Sequence, residues 1–220
     1  MIISESFLDQ SFDNRYVSLN EEKRRTQSAN ESFNLGRTKD KPTVFLSHKH
    51  DEIKPLEQTI KLIKSCGVDV YIDWMDEGMP KKTCAKTAER IKDKIEKCDK
   101  FILVGTEGAI NSKWCNWELG IGDVRKHDNG NLAILPIKKN YSDYSGNEYI
   151  ELYLTIQYED GNSYYMLSEK FDNFPAYVLP FGNEPRKGRI PRGYYIQIQD
   201  DQSGKVIRVL IRLEDWLRSK

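Results

Sequence analysis

The sequence lacks a surplus of charge of either sign, because its 220 residues carry 34 Lys and Arg against 34 Asp and Glu. No overall field draws the chain to nucleic acid or to an anionic membrane, which argues against a nonspecific DNA binder. It also lacks a long apolar run. Stretches such as Phe101 to Val104 and Leu132 to Ile137 fall far short of the roughly 20 residues that span a bilayer. The N-terminus carries Glu5 and Asp9 and no basic-then-apolar pattern, so it does not read as a signal peptide and a cytoplasmic location is expected. Cysteine is sparse, at positions 66, 84, 98 and 115 with no Cys-x-x-Cys pair, which predicts reduced thiols and no metal site. Phosphate-binding signatures are missing as well. There is no Gly-x-x-x-x-Gly-Lys-Ser/Thr loop, and Gly120-x-Gly122 lies inside a helical pattern, so neither an ATPase nor a dinucleotide-dependent dehydrogenase is indicated. A hydrolase triad drawn from Ser47, His48 and Asp51 is poorly supported, because neighbours at a strand end point apart and no Gly-x-Ser-x-Gly elbow is present.

What is present is organised in three parts, in a chain long enough to bury a sizeable core. Residues 1–40 are rich in Ser, Asn, Glu, Lys and Arg with scattered Phe7, Phe12, Tyr16 and Phe33. They read as a polar extension, either a mobile tail or an arm that orders on contact. From Pro42, short apolar runs at 44–47, 68–73, 101–105 and 132–137 have the character of strands buried on both faces of a parallel sheet. Helical patterns separate them. Ile53, Leu56, Ile60 and Ile63 mark one helix face that closes at Gly67, and Cys84, Ala88, Ile91, Ile95 and Cys98 mark a second. A third helix is predicted from about Lys113 to Lys126, with Trp114, Trp117, Ile121 and Val124 turned inward. This alternation predicts an α/β, doubly wound parallel sheet in flavodoxin-like order. The C-terminal third is expected to be an irregular, partly β extension. Residues 148–158 and 163–166 mix aromatic and β-branched types, residues 194–199 and 205–211 flank the hairpin signal at 200–204, and 212–218 reads as a short helix. The basic cluster Arg186, Lys187, Arg189 and Arg192 reads as a solvated loop, or else as a docking surface for an acidic partner or a phosphate.

In open α/β sheets, ligands bind beyond the carboxyl ends of the strands where the strand order reverses. Ser47, His48 and Asp51 follow the first strand, Asp73 and Trp74 end the second, and Gly105-Thr106-Glu107-Gly108 follows the third. Ser112 reads as the N-cap of the third helix, and Trp114 and Glu118, four residues apart, share one face a turn from each other. All of these residues should converge on one crevice. Ser47, His48, Asp51, Asp73, Trp74 and Trp114 are therefore the candidate substrate-binding residues.

Three segments in order, Thr43 to Glu52, Val68 to Trp74 and Ser112 to Gly120, resemble the Toll/interleukin-1 receptor (TIR) domain family, and Asp73-Trp74 and Trp117 to Gly120 look most like its bacterial, NAD-cleaving branch. The resemblance covers residues 41–138 well and the remainder loosely. It implies a TIR domain over 41–220 with insertions after about residue 140, and it makes Glu118 the catalytic residue. The implied reaction is cleavage of the N-glycosidic bond of NAD, with NAD as substrate and no cofactor. The leaving pyridinium departs as a neutral base, so no general acid is needed, and one carboxylate suffices to bind ribose hydroxyls and stabilise the developing positive charge. The product is ADP-ribose or a cyclic ADP-ribose isomer. The resemblance further implies homo-oligomers through TIR–TIR contacts, a role in antiphage defence of the Thoeris kind, and a separate effector protein reached through the nucleotide signal. The rival reading is a non-catalytic adaptor that associates through the loop Asp76-Glu77-Gly78-Met79-Pro80.

Overall fold

The apolar runs become neighbouring strands because the helices that connect them cover the sheet on both faces. The computed structural model describes residues 2–11, 41–73, 84–139, 152–166, 176–179, 186–202 and 205–219. In chain order the elements are β1 (Ile3–Ser4), α1 (Glu5–Ser11), β2 (Thr43–Ser47), α2 (Ile53–Ser65), β3 (Asp69–Tyr71), α3 (Ala85–Lys97), β4 (Lys100–Gly105), α4 (Glu107–Ile110), α5 (Lys113–Lys126) and β5 (Leu132–Lys138). They continue with β6 (Leu154–Glu159), β7 (Tyr164–Tyr165), β8 (Ala176–Val178), β9 (Gly188–Arg189), β10 (Gly193–Gln202), β11 (Lys205–Arg212) and α6 (Leu213–Arg218).

The main sheet runs β3-β2-β4-β5-β6-β10-β11-β8, with β1 paired to β5. Its first five strands are mutually parallel, which is the predicted flavodoxin-like order. The strand order reverses between β2 and β4, so the crevice expected of such sheets opens beyond Ser47 and Gly105. All residues of β2 and β4 are buried. Because strand side chains alternate between faces, Val44, Leu46, Ile102 and Val104 join one core with Leu56, Ile60 and Ile63 of α2, while Phe45, Phe101 and Leu103 join the other with Ile91 and Ile95 of α3 and Cys115 and Leu119 of α5. Helix α2 ends where Gly67 takes φ +80° and its N–H bonds the Lys64 carbonyl 2.9 Å away, a left-handed conformation that costs glycine least.

The structure departs from the sequence reading at two places. Ile3 and Ser4, within the segment read as a polar extension, extend the sheet by pairing with Ile137 and Lys138, and Leu8 is fully buried in the core. Asp9 of the same segment bonds Gln58 and pairs with Lys54 on α2; the rest of the extension, 12–40, lies outside the described residues. The partly β character expected of the C-terminal third is present: β6 joins β5 in parallel, and the antiparallel β10 and β11 continue the same sheet. Finally, α5 is rotated from its predicted orientation. Its buried residues are Cys115, Glu118, Leu119 and Gly122, whereas Trp114, Trp117 and Ile121 are half-buried and Val124 is 80% exposed. Gly122 decides this rotation, because a Cβ there would lie 3.1 Å from the Phe101 ring of β4 and 3.3 Å from Leu132 of β5. The helix meets the sheet on the face that carries Gly122, while its other glycine, Gly120, has open space around it.

Candidate active site

Ser47 is two residues beyond Phe45 on β2, so it emerges on the sheet face that α5 covers. There its hydroxyl donates a 2.6 Å hydrogen bond to Glu118 Oε2. Ser112 caps α5, its Oγ accepting from the Cys115 amide at 3.3 Å, which sets the helix start and with it the height of Glu118 above the strand ends. Glu118 is 2% exposed and Ser47 1%, and among the described residues Glu118 Oε1 has no hydrogen-bond partner. A carboxylate sits where helical periodicity would place a core residue, one oxygen anchored and the other unengaged.

Its surroundings oppose its charge. Burial, and then the negative Asp73 carboxylate, raise the Glu118 carboxyl well above the usual carboxylate range, against which the Ser47 hydroxyl and the Trp114 indole work. The indole N–H of Trp114, one turn earlier, is buried near the carboxyl but closes no hydrogen bond of normal geometry. Its ring lies 4.9 Å from that of Trp117, tilted by 32°. Cys115 lies against the same group; burial pushes its thiol up to about 11, so it packs as a neutral side chain and is no nucleophile.

The strand-end loop supplies two histidines of opposite character. His48 is buried, its Nδ1–H donating to the Leu46 carbonyl at 3.2 Å, and desolvation lowers its basicity. His50 is half-exposed, and its Nε2 lies 3.6 Å from Asp73 Oδ2, an ion pair that raises its basicity. Asp51, predicted to bind substrate, instead stands at the exposed rim and pairs with Lys49 at 3.1 Å. Glu52 turns inward in its place and accepts a hydrogen bond from Thr106, and a side chain at Gly108 would have no room against the Glu52 carboxylate. The structure thus brings Ser47, His48, Asp73, Trp114 and Glu118 together at the carboxyl ends of the strands and leaves Asp51 at the rim; Trp74 lies outside the described residues. His50, Glu52 and Cys115 were missed. His50 and Glu52 shared a signal, their place in the polar run after β2.

A strand order reversing over a helix that carries the inward Glu118 agrees with the sequence match, in which a TIR domain profile covers residues 44–168. The chain belongs to the TIR domain family. Among relatives of this TIR protein, ThsB' of Bacillus cereus (strain MSX-D12), named by inference as a 3' cyclic ADP-D-ribose synthase, is 32% identical over 114 residues, or 50% of this chain and 58% of that protein. TIR2 of Cytobacillus dafuensis, named by inference as a cyclic ADP-D-ribose synthase, is 25% identical over 79 residues, 34% of this chain and 21% of that protein. The TIR chain therefore spans little more than half the length of the first and about a fifth of the second. Among the described residues, no helix of this TIR protein is long and apolar enough to cross a membrane.

Proposed function

We propose that this TIR protein cleaves the bond between nicotinamide and ribose in NAD and releases a cyclic ADP-ribose. The observation that carries the reading is Glu118: a carboxyl group buried in a crevice at the sheet's switch point, held by Ser47 through one oxygen and with its other oxygen unengaged. Bond cleavage puts positive charge on the anomeric carbon, and a fixed carboxylate in a dry site stabilises that charge far better than water does. Nicotinamide leaves as a neutral base, so no group is needed to protonate it.

Glu118's raised proton affinity fits this role. Without substrate, burial and Asp73 favour its protonated form. A nicotinamide ring carries a fixed positive charge, and placing it in the crevice lowers that affinity again, so the anion is favoured when it is needed. Trp114 lends an aromatic wall, and Ser47, His48 and Asp73 line the approach to the carboxyl. The names given to ThsB' and TIR2 support the choice of cyclic over linear product. In the bacterial setting this reading extends to antiphage signalling, with a nucleotide product that reaches a separate effector and TIR–TIR association as the assembled state.

The test is incubation of concentrated protein with NAD, with nicotinamide and the ADP-ribose products separated by chromatography, for wild type and Glu118→Gln. Release by wild type and its loss in the variant supports the reading. Equal inactivity in both, at concentrations that permit association, refutes it in favour of a scaffold.

A further inference from the structure

We propose that His50, held by Asp73, is the base that takes the proton from the hydroxyl that closes the ring of the cyclic product. The inference rests on NAD cleavage at Glu118 and adds a second group to that site. Asp73 stands just past β3 with its side chain 9% exposed, and the His50 ring, 55% exposed, spans from that buried carboxylate to the open side of the crevice. Its Nε2 faces Asp73 Oδ2 at 3.6 Å, an orientation that favours the neutral tautomer with the proton on Nε2 and Nδ1 as the accepting nitrogen. Among the described residues no hydrogen bond engages His50 Nδ1.

The other groups at the site are unsuited to this step. Glu118 must stay anionic beside the anomeric carbon, and at 2% exposure it has no direct route for passing a proton to water. His48 is buried, has its Nδ1–H committed to Leu46, and is weakened as a base by desolvation. The charged and titratable groups that face His50 are Asp73 at the end of β3, Asp51 in its own loop and His48 at the end of β2. Both carboxylates strengthen it as a base.

The step balances without a further reactant. The bond from the anomeric carbon to the pyridinium nitrogen breaks, its electron pair leaving with neutral nicotinamide. A hydroxyl oxygen of the adenosine ribose forms the new bond to that carbon, and its proton passes to His50 Nδ1 and then to water. Hydrolysis follows the same path with water in place of the hydroxyl. Ring closure depends on the base more than hydrolysis does, because the tethered hydroxyl has one orientation and one proton acceptor within reach.

The experiment measures cyclic and linear products and nicotinamide across pH 5.5 to 9 for wild type, His50→Gln and Asp73→Asn. In wild type the cyclic-to-linear ratio rises with pH as His50 loses its proton. In His50→Gln the cyclic product falls by ~10²-fold, the lower end of a general base's contribution, more steeply than nicotinamide release, and the ratio loses its pH dependence. Asp73→Asn keeps the dependence but moves it to lower pH, since His50 has lost the carboxylate that raises its basicity. A His50→Gln ratio that follows the wild-type curve overturns the assignment while NAD cleavage stands. A wild-type product that is linear at every pH also overturns it. If wild type releases no nicotinamide, the NAD reading fails and the role of His50 with it.

Discussion

Ser47→Ala removes the one side-chain hydrogen bond that the described residues make to Glu118 without filling the space with anything that could replace it. The bond is 2.6 Å long and both of its ends are buried. A hydrogen bond to a charged group in such a place contributes about 1.5–3 kcal/mol. The hydroxyl favours the carboxylate over the acid, and each pKa unit corresponds to about 1.4 kcal/mol. Losing it therefore raises the Glu118 carboxyl further. The assay is kcat/KM for nicotinamide release against pH. The account expects the acid limb of the profile to move to higher pH, so that activity falls ~10- to 100-fold on the acid side, the factor to which that energy corresponds, and recovers largely above the new limb. A loss of the same factor at every pH would mean that Ser47 binds substrate directly or holds the helix in place. An unchanged profile would mean that the carboxyl is not controlled by this bond, and would refute the reasoning.

Two further outcomes concern stability. Glu118 has a folded-state pKa raised above its unfolded value, so wild type loses stability as pH rises from the ordinary Glu value of ~4.3 towards the folded value, and Glu118→Gln does not. The variant should be the more stable, by a margin in thermal midpoint that is small near pH 4, widens with rising pH and then levels off; a margin independent of pH contradicts this. Gly122→Ala forces a methyl against Phe101 and Leu132 and should cost ~1–3 kcal/mol, or ~2–4 °C in Tm per kcal/mol for a chain of this size. Gly120→Ala, two residues away with open space around it, should gain ~0.5–1 kcal/mol instead, and thermal melts of the two variants check the contrast.

The strands were legible because runs buried on both faces are mostly apolar between polar ends; the 132–137 run became β5 and the helix predicted from Lys113 to Lys126 was found with those bounds. The rotation of that helix was not legible. Apolar periodicity favoured the bulky Trp114, Trp117 and Val124, whereas the sheet accepts the face that carries Gly122 and Glu118, a glycine and a carboxylate that no hydropathy pattern counts as core. The same blindness hid β1, since two residues in a polar stretch carry no periodicity and are strand only because β5 offers them an unpaired edge. Within the site, Ser47 and Glu118 could be placed near one another from topology, because both lie at the carboxyl end of the sheet. Their hydrogen bond, and the pairing of His50 with Asp73, depend on side-chain directions set by the tertiary structure. Asp51 shows the converse, a residue in the right loop whose side chain turns outward to Lys49 while its neighbour Glu52 turns in.

The central claim is that Glu118 drives cleavage of NAD in this crevice. The most direct measurement is the rate of nicotinamide release per molecule of protein, followed for wild type and Glu118→Gln over rising protein concentration. The account predicts release by wild type, steepening with concentration if TIR–TIR contacts complete the site, and a fall of at least ~10²-fold in the variant, as expected for loss of a preorganised stabilising group. A variant that releases nicotinamide as fast as wild type would contradict the account.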